Sequence, residues 1–120
     1  LPTSTLPLFN PSSYHLEVCT VVRIHGQWCG PNWTQGKAQP ANAPGVDFTA
    51  PCDDALDCAC RSHDNDCAQG GCSQAGDDKL IAAALKEALN PINRIFKPSY
   101  VKKAELVVAG ISAARFTRSR

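Results

Sequence analysis

Residues 58–67 read Cys-Ala-Cys-Arg-Ser-His-Asp-Asn-Asp-Cys, with three cysteines, one histidine and two aspartates in ten positions. Such residues can hold zinc, close disulfides or run acid–base chemistry. The segment lies in "PCDDALDCACRSHDNDCAQGG" (51–71), which opens on acidic residues and closes on Gly70-Gly71, as a helix does. Leu56, Cys60, His63 and Cys67 fall at i, i+4, i+7 and i+11, one helical stripe. His63 is therefore expected to point inward, with Asp64 about 100° further round.

The flanks extend this helical reading. "DDKLIAAALKEALNPINRIF" (77–96) repeats Ile81, Leu85, Ala88, Ile92 and Ile95 at helical spacing, and Pro91 is expected to kink or break it near Asn90. "SYVKKAELVVAGISAARF" (99–116) reads as a third, C-terminal helix with Ser99 as its cap. Upstream, "GQWCGPNWTQGKAQPANAPG" (26–45) is punctuated by glycine and proline and reads as loop. "YHLEVCTVVRIHG" (14–26) leans to a short helix over a strand, and 1–13 to an extended lead-in. The expected fold is mainly α, a single disulfide-stapled domain over 1–120. Two antiparallel core helices, about 53–69 and 77–96, are joined by a short glycine-containing link. That link brings His63 near Asp77 and Asp78.

Composition sets the context. Seven cysteines in 120 residues is heavy usage for a reducing compartment. An odd number leaves one thiol free or paired with another chain, so a disulfide-linked partner is possible. The chain has no methionine, so a processed product is expected. It has no apolar run of about 20 residues, so no membrane span is expected. The expectation is a mature secreted protein. Net charge is +1 but unevenly spread. Asp53, Asp54, Asp57, Asp64, Asp66, Asp77 and Asp78 surround the lone Arg61, which suits a cation. Lys102, Lys103, Arg115, Arg118 and Arg120 face only Glu105, which suits an anionic surface or plain solvation. No nucleic-acid partner is expected.

Three readings of 58–67 compete. A zinc site would take Cys58, Cys60, His63 and Cys67, but Cys58 lies off the shared face, and oxidising surroundings work against thiolates. A disulfide-stapled helix with a buried histidine fits the stripe but leaves Asp64, Asp66 and the upstream loop unexplained. In the third reading His63 is a base and Asp64 a calcium carboxylate. One carboxylate cannot hold calcium, which takes six to eight oxygens, so backbone carbonyls of a tight loop would add to it.

Two motifs in order carry a resemblance. "WCGPNW" (28–33), within a loop of about 26–36, resembles the calcium loop of the secreted phospholipases A2, an aromatic–Cys–Gly–x–Gly pattern. "DCACRSHD" (57–64) resembles their active-site helix, with an aspartate six before the histidine, a cysteine three before it, and His-Asp at the centre. "PCDDALD" (51–57) matches the approach to that helix. The likeness covers residues 25–67, about a third of the chain.

The resemblance implies calcium-dependent hydrolysis of the sn-2 ester of glycerophospholipids by a histidine-activated water. His63 would be the general base. Asp77 would orient it, with Asp78 as fallback. Asp64 and the carbonyls of Trp28, Gly30 and Asn32 would bind Ca2+, and the Gly30 amide would meet the oxyanion. Cys29–Cys60 would tie loop to helix. A phospholipid aggregate or membrane surface would be the partner, with Leu6, Leu8, Phe9, Trp33, Lys102, Lys103 and Arg115 as candidate contacts.

The chain departs from the pattern in places. Asn32 stands where a second glycine is usual, though asparagine tolerates left-handed backbone. Cys58 is shifted by one from the usual adjacent pair, and Cys67 replaces a tyrosine. Only fourteen residues separate His63 from Asp77, too few for the two-stranded wing of the pancreatic and venom enzymes. The chain is nearer the compact plant, microbial or parvoviral-type branches. Asn32-Trp33-Thr34 is also a glycosylation sequon, expected to stay unmodified because a glycan would obstruct the loop. The same scaffold can also serve as a catalytically weak toxin subunit or receptor-binding module.

Overall fold

The computed structural model describes residues 20–118. An extended segment leads to a small hairpin, β1 (Trp33–Thr34) and β2 (Lys37–Ala38). A connector follows, then four helices: α1 (Ala55–Ala68), α2 (Gln74–Leu89), α3 (Pro91–Phe96) and α4 (Pro98–Arg118). The architecture is mainly helical, with α1 and α2 packed antiparallel and α4 laid along α2. The 1–13 lead-in lies outside the described residues, as does the first part of 14–26.

Local chemistry sets each boundary. Asp54 caps α1 by accepting the Asp57 N–H, and Gly70 and Gly71, both at positive φ, turn the chain after it. Ser73 accepts the Gly76 N–H and so starts α2 at Gln74, one turn earlier than expected. Pro91 ends α2, as foreseen. The Asn90 carboxamide oxygen then accepts from Ile92 N and Asn93 N and starts a separate helix, so 77–96 is two helices rather than one. Ser99 does not cap α4, which begins one residue earlier with Pro98 in its first turn.

The core stripe of α2 differs from the expected one. Asp77, Leu80, Ala84 and Ala88 are buried, whereas Leu85 is 41%, Ile92 61% and Ile95 70% exposed. The period is the expected one and Ala88 is buried as expected, but the buried edge runs through Leu80 and Ala84 instead of Ile81 and Leu85. Ala84 on α2 and Ala104 on α4 are fully buried, and side chains this short let the two helices approach closely. The Tyr100 hydroxyl links three helices, accepting the Leu56 N–H at 3.2 Å and donating to Glu87 at 3.0 Å.

The stretch before α1 also departs from expectation. Residues 20–24 are not helical but form a strap along the loop, with Val22 N donating to Pro31 O and Ile24 N to Cys29 O. Gln35 and Gly36, at φ 54° and 70°, form the tight two-residue turn of the hairpin inside what read as continuous loop.

Three disulfides close Cys29–Cys60, Cys52–Cys58 and Cys67–Cys72, consistent with an oxidising environment. The seventh cysteine, Cys19, lies outside the described residues. No helix among those residues is long and apolar enough to cross a membrane.

The loop is fixed to α1 by Asp57. Its fully buried carboxylate accepts N–H bonds from Trp28 at 2.9 Å, Gln27 at 3.0 Å and Asp53 at 2.8 Å. Gly26 lies against it, where a Cβ would overlap the carboxylate. Replacing Asp57 by alanine strands these donors, and an unmet buried donor costs about 1–3 kcal/mol. Urea denaturation should show Asp57→Ala losing about 3 kcal/mol of unfolding free energy on the same principle. A change below about 1 kcal/mol would mean the loop holds without this anchor.

Candidate active site

His63 sits on the inward face of α1, 8% exposed. Its Nε2 lies 2.7 Å from Asp77 Oδ1. An ionised carboxylate only accepts, so Nε2 carries the proton in this pair and Nδ1 of the neutral ring is left with its lone pair. Nδ1 has Cys67 Sγ at 3.7 Å. That sulfur is bonded to Cys72 and has no proton to give, so Nδ1 remains able to take one from water. Asp77 occupies the first turn of α2, where the helix dipole favours a carboxylate. Its second oxygen pairs with Arg118 of α4. Asp78 faces solvent and pairs instead with Arg115 at 2.5 Å, so the neighbour of His63 is Asp77 and not Asp78.

Asp64 lies one residue further round α1. Its Oδ2 is buried with no hydrogen-bond partner. Burial, and secondarily the charge of Asp57, push its carboxyl up to about 8. A buried carboxylate without a partner is costly unless a cation or proton offsets it.

Asp64 and His63 open onto a cavity of about 380 Å³ whose wall also includes Trp28, Gly30, Pro31 and Asn32. Ile24, Leu80, Val107 and Ile111 make the remainder largely apolar. Gly30, at φ 142°, has no room for a side chain, since a Cβ would overlap the Val22 carbonyl. Asn32 adopts left-handed backbone at φ 53° and donates from Nδ2 to Thr20 O at 2.6 Å. The residues expected to hold calcium, Trp28, Gly30, Asn32 and Asp64, thus border one cavity. Their donors, a carboxylate and backbone carbonyls, are hard oxygens of the kind calcium takes. Asp64 Oδ2, buried and unpartnered, is the atom such a cation would satisfy.

A sulfur-based metal site fits less well. His63, Cys67 and Cys72 bring ligand-type atoms within 4.8 Å of one another, but the two sulfurs are bonded to each other. Cys58 and Cys60 are likewise tied to Cys52 and Cys29. The zinc set therefore has no thiolates to offer.

The expected surface contacts divide. Trp33 is half-buried, its indole donating to Gly26 O at 2.9 Å with the Arg23 guanidinium over its ring. Lys102 is exposed and Lys103 half-buried. Arg115 is spent on Asp78. Leu6, Leu8 and Phe9 lie outside the described residues.

Two residues escaped the sequence reading. The position of Asp57, six before His63, was visible, but its use as the anchor of the loop was not. Arg118 reaches Asp77 from 41 residues away on another helix, and no local pattern marks it. No protein-family model, curated protein or solved structure matches the chain.

The sequon is occupied structurally. The Asn32 amide donates within the protein and Thr34 is 2% exposed. After secretion from a glycosylating host, mass spectrometry of the peptide containing Asn32 should give its unmodified mass. A glycan-bearing peptide from folded protein would show that the loop opens far enough to present Asn32.

Proposed function

We propose that this protein is a secreted, calcium-dependent phospholipase A2-type hydrolase. It would cleave the sn-2 ester of glycerophospholipids to fatty acid and lysophospholipid at a lipid surface. The observation that carries this reading is that His63, backed by buried Asp77, and Asp64, whose Oδ2 has no partner, line one apolar-walled cavity with the Gly30 loop.

His63 Nδ1 takes a proton from water as the water attacks the ester carbonyl, and returns it to the departing alcohol. Asp77 holds the ring in the tautomer that leaves Nδ1 free, as the buried carboxylate does in a serine triad. The Gly30 N–H donates to the oxyanion that forms. Asp64, with the Trp28, Gly30 and Asn32 carbonyls, would hold Ca2+. The ion, when bound, supplies positive charge for the same oxyanion. The apolar wall of Ile24, Leu80, Val107 and Ile111 suits an acyl chain. Ser62 is exposed, and neighbours on a helix diverge by about 100°, so it does not serve as nucleophile.

Fatty-acid release from phospholipid vesicles tests the reaction. Wild type should act in millimolar calcium and stop in chelator, and His63→Gln should lose roughly 10²-fold or more, the worth of a general base. No release from folded, disulfide-intact protein would favour a binding module. Activity persisting in chelator would mean that the loop does not hold the ion that matters.

Thermal melts test the ion separately. Calcium should raise the midpoint of wild type, because it binds the folded state alone. Asp64→Asn should melt at or above wild type without calcium, having no buried charge to offset, and should not respond to the ion. An equal calcium response in both proteins would place the ion elsewhere.

A further inference from the structure

We infer that Arg118 is a positioning residue for the proposed reaction, sharing the Asp77 carboxylate with His63 and fixing the plane in which that carboxylate meets the imidazole. This rests on the hydrolase reading above and adds a component from the far end of the chain.

Asp77 is 1% exposed, so its carboxylate has little water to turn toward. His63 Nε2 takes Oδ1 and the Arg118 guanidinium takes Oδ2. A carboxylate held at one oxygen can rotate about its terminal torsion, which is broad. Held at both oxygens it cannot, and the imidazole bonded to it inherits that orientation. A buried carboxylate also needs charge compensation. The guanidinium supplies it permanently, since arginine does not deprotonate.

The neighbouring pair, Arg115 with Asp78, gives a contrast. The two arginines are alike in exposure, but Asp78 is 58% exposed and Asp77 2%, and a pair on an exposed carboxylate contributes little. Two arginines one turn apart therefore differ in role, although both reach from α4 to the start of α2. Arg118 alone touches a group bonded to His63. The same helix end lines the cavity with Val107, Gly110, Ile111 and Ala114, so a purely structural role for Arg118, holding that wall in place, is the competing account.

The two accounts separate by kinetics and by a signal independent of turnover. In the vesicle assay, kcat of Arg118→Ala should fall roughly 10- to 100-fold, the range for outer partners that orient an imidazole. KM should stay within about twofold, since loss of a positioning contact acts on the reacting complex. Arg118→Lys should retain a cation near Asp77 and recover part of kcat, and added guanidinium ion should partly restore Arg118→Ala. In the proton spectrum of protein labelled with 15N-histidine, the Nε2–H of His63 should give a downfield resonance in wild type. That resonance should be lost or exchange-broadened in Arg118→Ala.

A raised KM with unchanged kcat would overturn the inference and leave Arg118 as a cavity anchor. So would an unaltered His63 resonance in folded Arg118→Ala. Should that variant fail to fold, the same resonance and kcat read in Arg118→Lys decide the matter, wild-type values for both being the overturning result. If wild type releases no fatty acid, the hydrolase reading fails on its own. The resonance still decides whether Arg118 orients the pair.

Discussion

A carboxylate buried between a loop and a helix must be surrounded by donors or it destabilises both. Asp57 is such a group, and the site depends on how it is satisfied. The N–H groups of Gln27, Trp28 and Asp53 converge on it, which fixes the start of the loop against the first turn of α1. Cys60, three residues on, binds Cys29. Asp64, four further, completes a stripe at i, i+3 and i+7 that faces the loop. The first two members are saturated, one by hydrogen bonds and one by a covalent bond, while the third ends in an oxygen with no partner. Burial, and after it the charge that secures the loop at Asp57, makes ionising Asp64 harder. A cation or a proton at Asp64 would offset a cost set mainly by burial and in smaller part by the anchor.

Much of this geometry was legible because it is local. The stripe of Leu56, Cys60 and His63 follows from helical period alone, and the break at Asn90-Pro91 follows from a missing N–H. What stayed hidden depended on context. Leu80 and Ala84 join the expected Ala88 on the buried edge of α2, while Leu85 on α2 and Ile92 and Ile95 on α3 face outward. At position 84 close helix approach selects alanine over the larger neighbouring Leu85, so side-chain size alone points to the wrong edge there. The hairpin at 33–38 turns through Gln35-Gly36, and glutamine is not among the residues that usually mark such a turn. Residues 20–24 are apolar and β-branched enough for either state, and the loop they strap decides between them. The pairings Cys52–Cys58 and Cys67–Cys72 span five or six residues, and spacing alone does not select one connectivity among so many.

The His63–Asp77 pair depends on the short connection between α1 and α2. Only residues 69–73 separate α1 from α2. Cys67 and Cys72 bridge that link covalently. Across it Asp66 accepts both the N–H of Ser73 at 2.8 Å and its hydroxyl at 2.9 Å, bonds that hold the Asp66 carboxyl below its ordinary range. His63 stands one turn before Cys67, and Asp77 one turn after Ser73. The pair is thus a single helical turn from a doubly fastened hinge on each side. Near a hinge, an error in the angle between two helices moves side chains little; the same error at the far end of α2 would move them much more. A hydrogen bond whose strength falls steeply with distance and angle is best placed where that lever arm is shortest, and this connection puts it there.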